Sequence, residues 1–232
     1  MSSLAFLKKY LPKLSAWAVV LLLVFIGAIG FFVFLMHEVL WEKEQVFDGR
    51  VFALLEPHIT SRRTAFMEAV TYCASSTFLQ VAYGCTVLFY CLRKNWKRAA
   101  EIVVIGIGGF LVNYFMKISF HRLRPPNPVI DPPQNFSFPS GHATSGFIFY
   151  GLLVYLVWKS DARPVARYPA IALLVLLALL IGFSRVYLRV HYASDVIAGF
   201  CNGAAWLALA IWMMERLKKK AVTDVRQDPS LK

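Results

Sequence analysis

Long apolar runs alternate with short polar connections along this chain. A helix that crosses a bilayer needs about 20 mostly apolar residues. The first run, A-W-A-V-V-L-L-L-V-F-I-G-A-I-G-F-F-V-F-L-M, covers 16–36. Five more spans are predicted, at 70–92, 99–118, 143–158, 168–186 and 196–214. The second contains more polar residues than the others. Gly106, Gly108, Gly109, Gly199 and Gly203 lie inside these runs. Small residues at such positions suit close helix packing in lipid. The pattern predicts an all-α integral membrane protein with six transmembrane helices.

Composition supports this. The 232 residues are 58% hydrophobic and 16% charged, whereas a soluble domain carries about 25% charged residues. Lys8, Lys9 and Lys13 precede the first run, as in a signal peptide, but that run is 21 residues long. A signal-peptide core is only about 7–15 residues, so a retained span is expected. Cys73, Cys85, Cys91 and Cys201 lie in or beside apolar runs without a C-x-x-C pair. They are read as small core residues.

The net charge of +12 raises the question of nucleic acid. The basic residues collect at span ends instead of in one patch, so no nucleic-acid partner is expected. With the N-terminus inside, 16 of the 25 basic residues fall on the cytoplasmic side. Both termini are therefore expected in the cytoplasm. The segment before Trp17 looks amphipathic and is expected along the inner leaflet. A single six-helix domain over 1–220 is expected, with a polar, disordered tail over 221–232. Three segments then face outward: a long loop over 37–69, a proline-rich loop over 119–142, and a short turn over 187–195.

Those outward segments hold the costly residues. K-I-S-F-H-R-L-R-P runs from Lys117 to Pro125, P-S-G-H from Pro139 to His142, and S-R-V-Y-L-R-V-H-Y-A-S-D from Ser184 to Asp195. Cations beside apolar spans are expensive unless they reach water or an anion. Lys117, Arg124 and Arg185 converge in sequence logic on a phosphate, which guanidinium groups grip bidentately. Ser140 and Gly141 precede the fourth span, where free backbone N–H groups can bind an anion. Arg122 and Arg189 could equally snorkel to the interface.

His191 and Asp195 are four residues apart, so one helical turn would put them on the same face. A carboxylate that accepts from one ring nitrogen fixes the tautomer and leaves the other nucleophilic. His142 could protonate a leaving oxygen. H-x3-D could also hold a divalent cation, but the three nearby cations would repel one, and no second carboxylate accompanies it. His37, His58 and His121 have no partners in sequence and are read as solvated or structural. The parts together specify phosphoryl transfer.

These three motifs resemble the signature of the type 2 phosphatidic acid phosphatase superfamily: K-x6-R-P, P-S-G-H and S-R-x5-H-x3-D. Lys117, Arg124, Pro125, Pro139 to His142, Ser184, Arg185, His191 and Asp195 match it in order and spacing. Leu123 stands where many members have proline. The resemblance implies that His191 takes the phosphoryl group as a phosphohistidine, that Asp195 orients it, and that His142 protonates the leaving alkoxide. It implies that Lys117, Arg124, Ser140, Gly141 and Arg185 hold the phosphate, with no metal or other cofactor.

The expected function is hydrolysis of a terminal phosphate from a lipid phosphate or diphosphate at the outer, periplasmic boundary of a bacterial inner membrane. Phosphatidylglycerol phosphate, phosphatidic acid, undecaprenyl diphosphate and lipid A phosphate all fit such a clamp. The lean is toward the bacterial group acting on phosphatidylglycerol phosphate and undecaprenyl diphosphate. An anion or lipid transporter, or a silent lipid-binding member, would use the basic pocket but leave the His191–Asp195 pair and His142 unexplained. Beyond lipid and bilayer, no protein partner is inferable.

Overall fold

The computed structural model describes residues 16–41 and 46–227. Eight α-helices make up most of it: α1 (Ala16–Met36), α2 (Val46–Leu55), α3 (Ser61–Tyr72), α4 (Ser76–Leu92), α5 (Trp96–Ser119), α6 (Gly141–Trp158), α7 (Pro164–Tyr187) and α8 (Ala193–Gln227). Five of the described helices are long and apolar enough to cross a membrane. The number becomes six if α3 and α4, bent by 43° at Cys73–Ser75, count as one span.

Local chemistry sets several helix ends. Thr60, Ser75, Asn95 and Ser140 each accept a backbone N–H three residues on, and so cap α3, α4, α5 and α6. Ser75 explains the bend in the less regular second span. Its side chain restarts the helix after the turn that ends α3. The hairpin from α4 to α5 is equally local. Lys94 adopts φ 55°, and the Asn95 N–H donates back to the Tyr90 carbonyl, closing the helix end with a left-handed residue.

The bundle is held by close helix approach. In lipid, apolar burial gives little drive between helices, so packing and small residues matter more. A Cβ on Gly199 would lie 2.8 Å from the Ser140 carbonyl oxygen. One on Gly203 would lie 3.0 Å from that of Thr144. These two glycines let α8 sit against the start of α6. α8 also packs along α1, and α6 packs against α7. One core joins Ile102 and Ile105 of α5 to Ile148 and Leu152 of α6 and Leu207 of α8. A second joins Leu79 of α4 to Phe149 of α6 and Ile181 of α7.

Two expectations about connections need revision. The 37–69 segment contains helices where a long loop was expected: a π-turn over His37–Trp41, then α2, a 3-10 turn over Glu56–His58, and most of α3. α8 runs beyond the predicted end of the sixth span to Gln227. The polar tail expected over 221–232 falls partly on this helix, and residues 228–232 lie outside the described residues. So does the amphipathic segment expected before Trp17, apart from Ala16.

Candidate active site

Buried polar side chains concentrate at one end of the bundle. Asp48, Ser137, Ser140, Thr144, Ser184, Arg185, His191, Ser194 and Asp195 are all buried. They come from the turns and helix ends that join α2, α5, α6, α7 and α8.

The turn that carries His191 follows from how α7 stops. Arg189 adopts φ 51°. Its N–H donates to the Val186 carbonyl, and the Val190 N–H donates to that of Arg185. This left-handed helix ending reverses the chain and presents His191 two residues later. Arg189 also lies 3.5 Å from Glu56 and over the Phe52 ring, so it fastens α2 to the turn. The next helix starts at once. The Asp195 carboxylate accepts the Tyr192 N–H at 2.9 Å, reaching back as the third residue of a capping box does.

Lys117, Arg124, Gly141, His142, Arg185 and His191 line one cavity of about 850 Å³. Lys117 is in the last turn of α5, Arg185 in the last turn of α7, and Gly141 and His142 open α6. Asp195 stands behind His191 and is fully buried. Ser140 is also fully buried. Its hydroxyl oxygen accepts the Ala143 N–H at 3.4 Å, and its own N–H donates to the Asp195 carbonyl at 3.0 Å. Gly141 is tightly placed, because a Cβ there would lie 3.2 Å from the Asn113 amide and 3.4 Å from the Lys117 stem.

The cations are gathered by neutral acceptors. Lys117 donates to Asn135 at 3.2 Å and to the Phe136 carbonyl at 2.8 Å. Arg124 donates to the Asn135 side chain and to the Asn135 and Val190 carbonyls. Arg185 donates to the Thr71 hydroxyl at 2.8 Å. Among the described residues, no Asp or Glu lines this cavity. Burial pulls Arg124 below its usual range, against the attraction of Asp195.

The His191 ring is held from both sides. Arg124 Nη1 lies 3.2 Å from Nε2, the edge toward the cations. Asp195 lies 3.6 Å from Nδ1, with the Ser137 hydroxyl between them at 3.3 Å from Nδ1. Burial outweighs the pull of Asp195 and brings His191 down to about 4. Its ring is therefore neutral near pH 7, the form in which a free ring nitrogen could attack.

Behind this ring lies an ionic brace that the motifs do not contain. Arg122 donates to Asp195 Oδ1 at 2.5 Å, to Asp48 Oδ2 at 2.8 Å and to the Ser194 hydroxyl at 2.8 Å. Asp48 accepts the Ser194 N–H at 2.9 Å and its hydroxyl at 2.6 Å. Burial opposes the charge on Arg122, but the two carboxylates more than offset it and raise its pKa. Its guanidinium also lies 3.9 Å from the Tyr192 ring centre. Arg122 is thus a structural cation here, not a snorkelling one.

Sequence reasoning missed Asp48, Asn135 and Ser137; the small, polar stretch from Thr71 to Gln80 could be read as lining a cleft, but the contact of Thr71 with Arg185 could not. The one available signal for Asp48 was an acid set in the apolar stretch V-F-D-G-R-V-F-A-L-L. His58 and His121 have local roles. The His58 carbonyl accepts from the Tyr187 hydroxyl at 3.2 Å, and the His121 ring meets Phe136 edge-on at 4.5 Å.

Away from the cations the cavity turns apolar. It continues between α4 and α5, along Leu79, Tyr83 and Val87 on one side and Phe110, Ile107 and Val103 on the other. From Lys117 to Val103 is fourteen residues of helix, or about 20 Å. A charged head at the bundle end and a long apolar groove therefore share one space.

Comparisons with known proteins agree with this geometry. The PAP2 superfamily pattern matches residues 98–219. Phosphatidylglycerophosphatase B of Bacillus subtilis is 30% identical over 158 residues, covering 66% of this chain and 76% of that protein. Decaprenylphosphoryl-5-phosphoribose phosphatase of Mycobacterium tuberculosis is 34% identical over 115 residues, covering 47% of this chain and 58% of that protein. The crystal structure of a transmembrane PAP2-type phosphatidylglycerolphosphate phosphatase from Bacillus subtilis superposes with a TM-score of 0.73 at 26% identity, covering 84% of this chain and 97% of that one. Motifs, cavity and relatives agree: the chain belongs to the PAP2 superfamily.

Proposed function

We propose that the protein hydrolyses a terminal phosphate from a lipid phosphate or diphosphate at the outer face of a bacterial inner membrane, through a phosphohistidine and without a metal. One observation carries this reading: a single cavity joins a cationic, carboxylate-free end to an apolar groove that opens between membrane helices. A phosphate with an apolar tail matches both ends. With α3 and α4 counted as one span, six crossings return the chain to its starting side. The excess of basic residues on inner segments then supports cytoplasmic termini and a periplasmic site.

In this mechanism Lys117, Arg124, Arg185 and the free N–H groups at the start of α6 hold the phosphate oxygens. Positioning and charge stabilisation supply most of the rate. His191 Nε2 attacks phosphorus, and the bond from phosphorus to the lipid oxygen breaks. His142 gives that oxygen its proton. A water then attacks the phosphohistidine while His142 takes a proton from it. The P–N bond breaks, which releases phosphate and restores His191. Ser140 serves the phosphate indirectly, by capping the helix whose N–H groups face it.

The favoured substrates are phosphatidylglycerol phosphate and undecaprenyl diphosphate, with phosphatidic acid and lipid A phosphates as further members of the class. The test is phosphate release from these lipids in detergent micelles, in the presence of a strong chelator. Wild type should release phosphate, and His191→Ala and Asp195→Asn should lower kcat by about 1,000-fold or more. Binding or transport of an anion would leave no phosphate release to lose. Wild-type rates in both variants would overturn the mechanism.

A further inference from the structure

We propose that Ser137 is the hydroxyl bridge through which Asp195 orients His191, a positioning residue for the nucleophile. The proposal rests on the assignment of His191 as nucleophile and adds a group that the three motifs omit.

The distances carry it. Asp195 Oδ2 and His191 Nδ1 are 3.6 Å apart, too long for a direct hydrogen bond. Ser137 Oγ lies 2.5 Å from Asp195 Oδ2 and 3.3 Å from His191 Nδ1. An ionised carboxylate only accepts, so the serine proton goes to Asp195. The lone pairs of the hydroxyl oxygen then face Nδ1, which must carry the ring proton. That leaves the Nε2 lone pair directed toward the cations.

Arg124, a donor only, favours the same tautomer from the Nε2 edge at 3.2 Å, but on the Asp195 side the network leaves no substitute for this hydroxyl. Asp195 Oδ1 is taken by Arg122. Oδ2 accepts the Tyr192 N–H besides Ser137. Ser137 itself is held firmly. Its N–H donates to the Arg122 carbonyl at 2.8 Å, and the next residue, Phe138, is fully buried against Phe32 and Phe120. Ser137 is fully buried and is not part of the cavity wall. It therefore acts through His191 and not on the substrate.

The test compares Ser137→Ala and Ser137→Cys with wild type and Asp195→Asn, using one lipid phosphate in detergent. Cysteine keeps nearly the same size with a weak donor, so it reports on the bond if alanine perturbs folding. Loss of one hydrogen bond to a charged group predicts a fall in kcat of about 10- to 100-fold, with KM within about twofold because no substrate contact is removed. The nitrogen-15 signals of His191, assigned by their loss in His191→Ala, should show a hydrogen-bonded Nδ1–H in wild type and a shifted Nδ1 signal in the serine variants. A serine that only fills space would move neither kcat nor the Nδ1 signal. Wild-type kcat and an unchanged Nδ1 signal in folded Ser137→Ala, or in Ser137→Cys if the alanine variant does not fold, with Asp195→Asn inactive, overturn the proposal and leave the nucleophile assignment standing. Full activity in Asp195→Asn as well would overturn the mechanism on which it rests.

Discussion

The enclosed and lipid-facing parts of the bundle follow different rules. In α6 and α8, 50% and 56% of the best spanning window is buried within the protein. In α1 and α5 the figures are 17% and 22%. The enclosed helices carry His142 and Asp195 at their first turns and pack through glycines at backbone distance. The apolar groove runs instead along α4 and α5, where Val81, Leu88, Val104 and Ile107 are exposed. The difference teaches that the polar cluster and the apolar groove rest on separate supports. The first rests on buried, hydrogen-bonded polar groups. The second needs only shape and apolar surface.

Three substitutions sharpen that contrast. The largest effect is expected from Arg122→Gln, which leaves Asp48 and Asp195 as buried carboxylates without their cation. Breaking a buried ion pair from one side costs about 3–5 kcal/mol. Thermal unfolding in detergent should show that loss, and kcat should fall because Asp195 loses its anchor. Unchanged stability would mean that the brace is not a structural unit. Next comes Gly199→Ala, whose added methyl meets the Ser140 carbonyl oxygen at 2.8 Å. Overpacking of this sort costs about 1–3 kcal/mol. The start of α8 must shift with it, so activity and melting temperature should drop together.

The smallest effect on stability is expected from Gly84→Leu. A Cβ there meets nothing within 4 Å, and the residue lines the groove. The variant should melt as wild type does. Its kcat/KM for a long-chain lipid phosphate should fall about 10-fold, while a short-chain, water-soluble phosphate ester is turned over at the normal rate. An equal loss for both substrates would place the tail elsewhere.

The sequence showed these two parts unequally. Uninterrupted apolar runs made the spans legible, because lipid demands them. The motif spacing singled out Lys117, Arg124, Gly141, His142, Arg185 and His191, and these six share the cavity wall. The support behind them was not legible. Asp48 meets Ser194 across 146 positions, and no periodicity reports such a contact. Thr71 reaches Arg185 across 114. Arg189 sits at φ 51°, where glycine or asparagine would have announced the helix ending. Arg122 looked like an interfacial cation because both of its carboxylate partners are remote in sequence.

The backbone bond from the Ser140 N–H to the Asp195 carbonyl joins the first turn of α6 to the first turn of α8. The proposed acid follows one end of that bond by two residues, and the proposed nucleophile precedes the other end by four. Their spacing is thus a main-chain dimension, nearly indifferent to which side chains surround it. Residues along α4 and α5 can then change to suit a different tail while the distance between the two histidines stays as it is. Under the proposed mechanism, substrate range and catalytic geometry become separately adjustable, with one amide hydrogen bond marking the boundary between them.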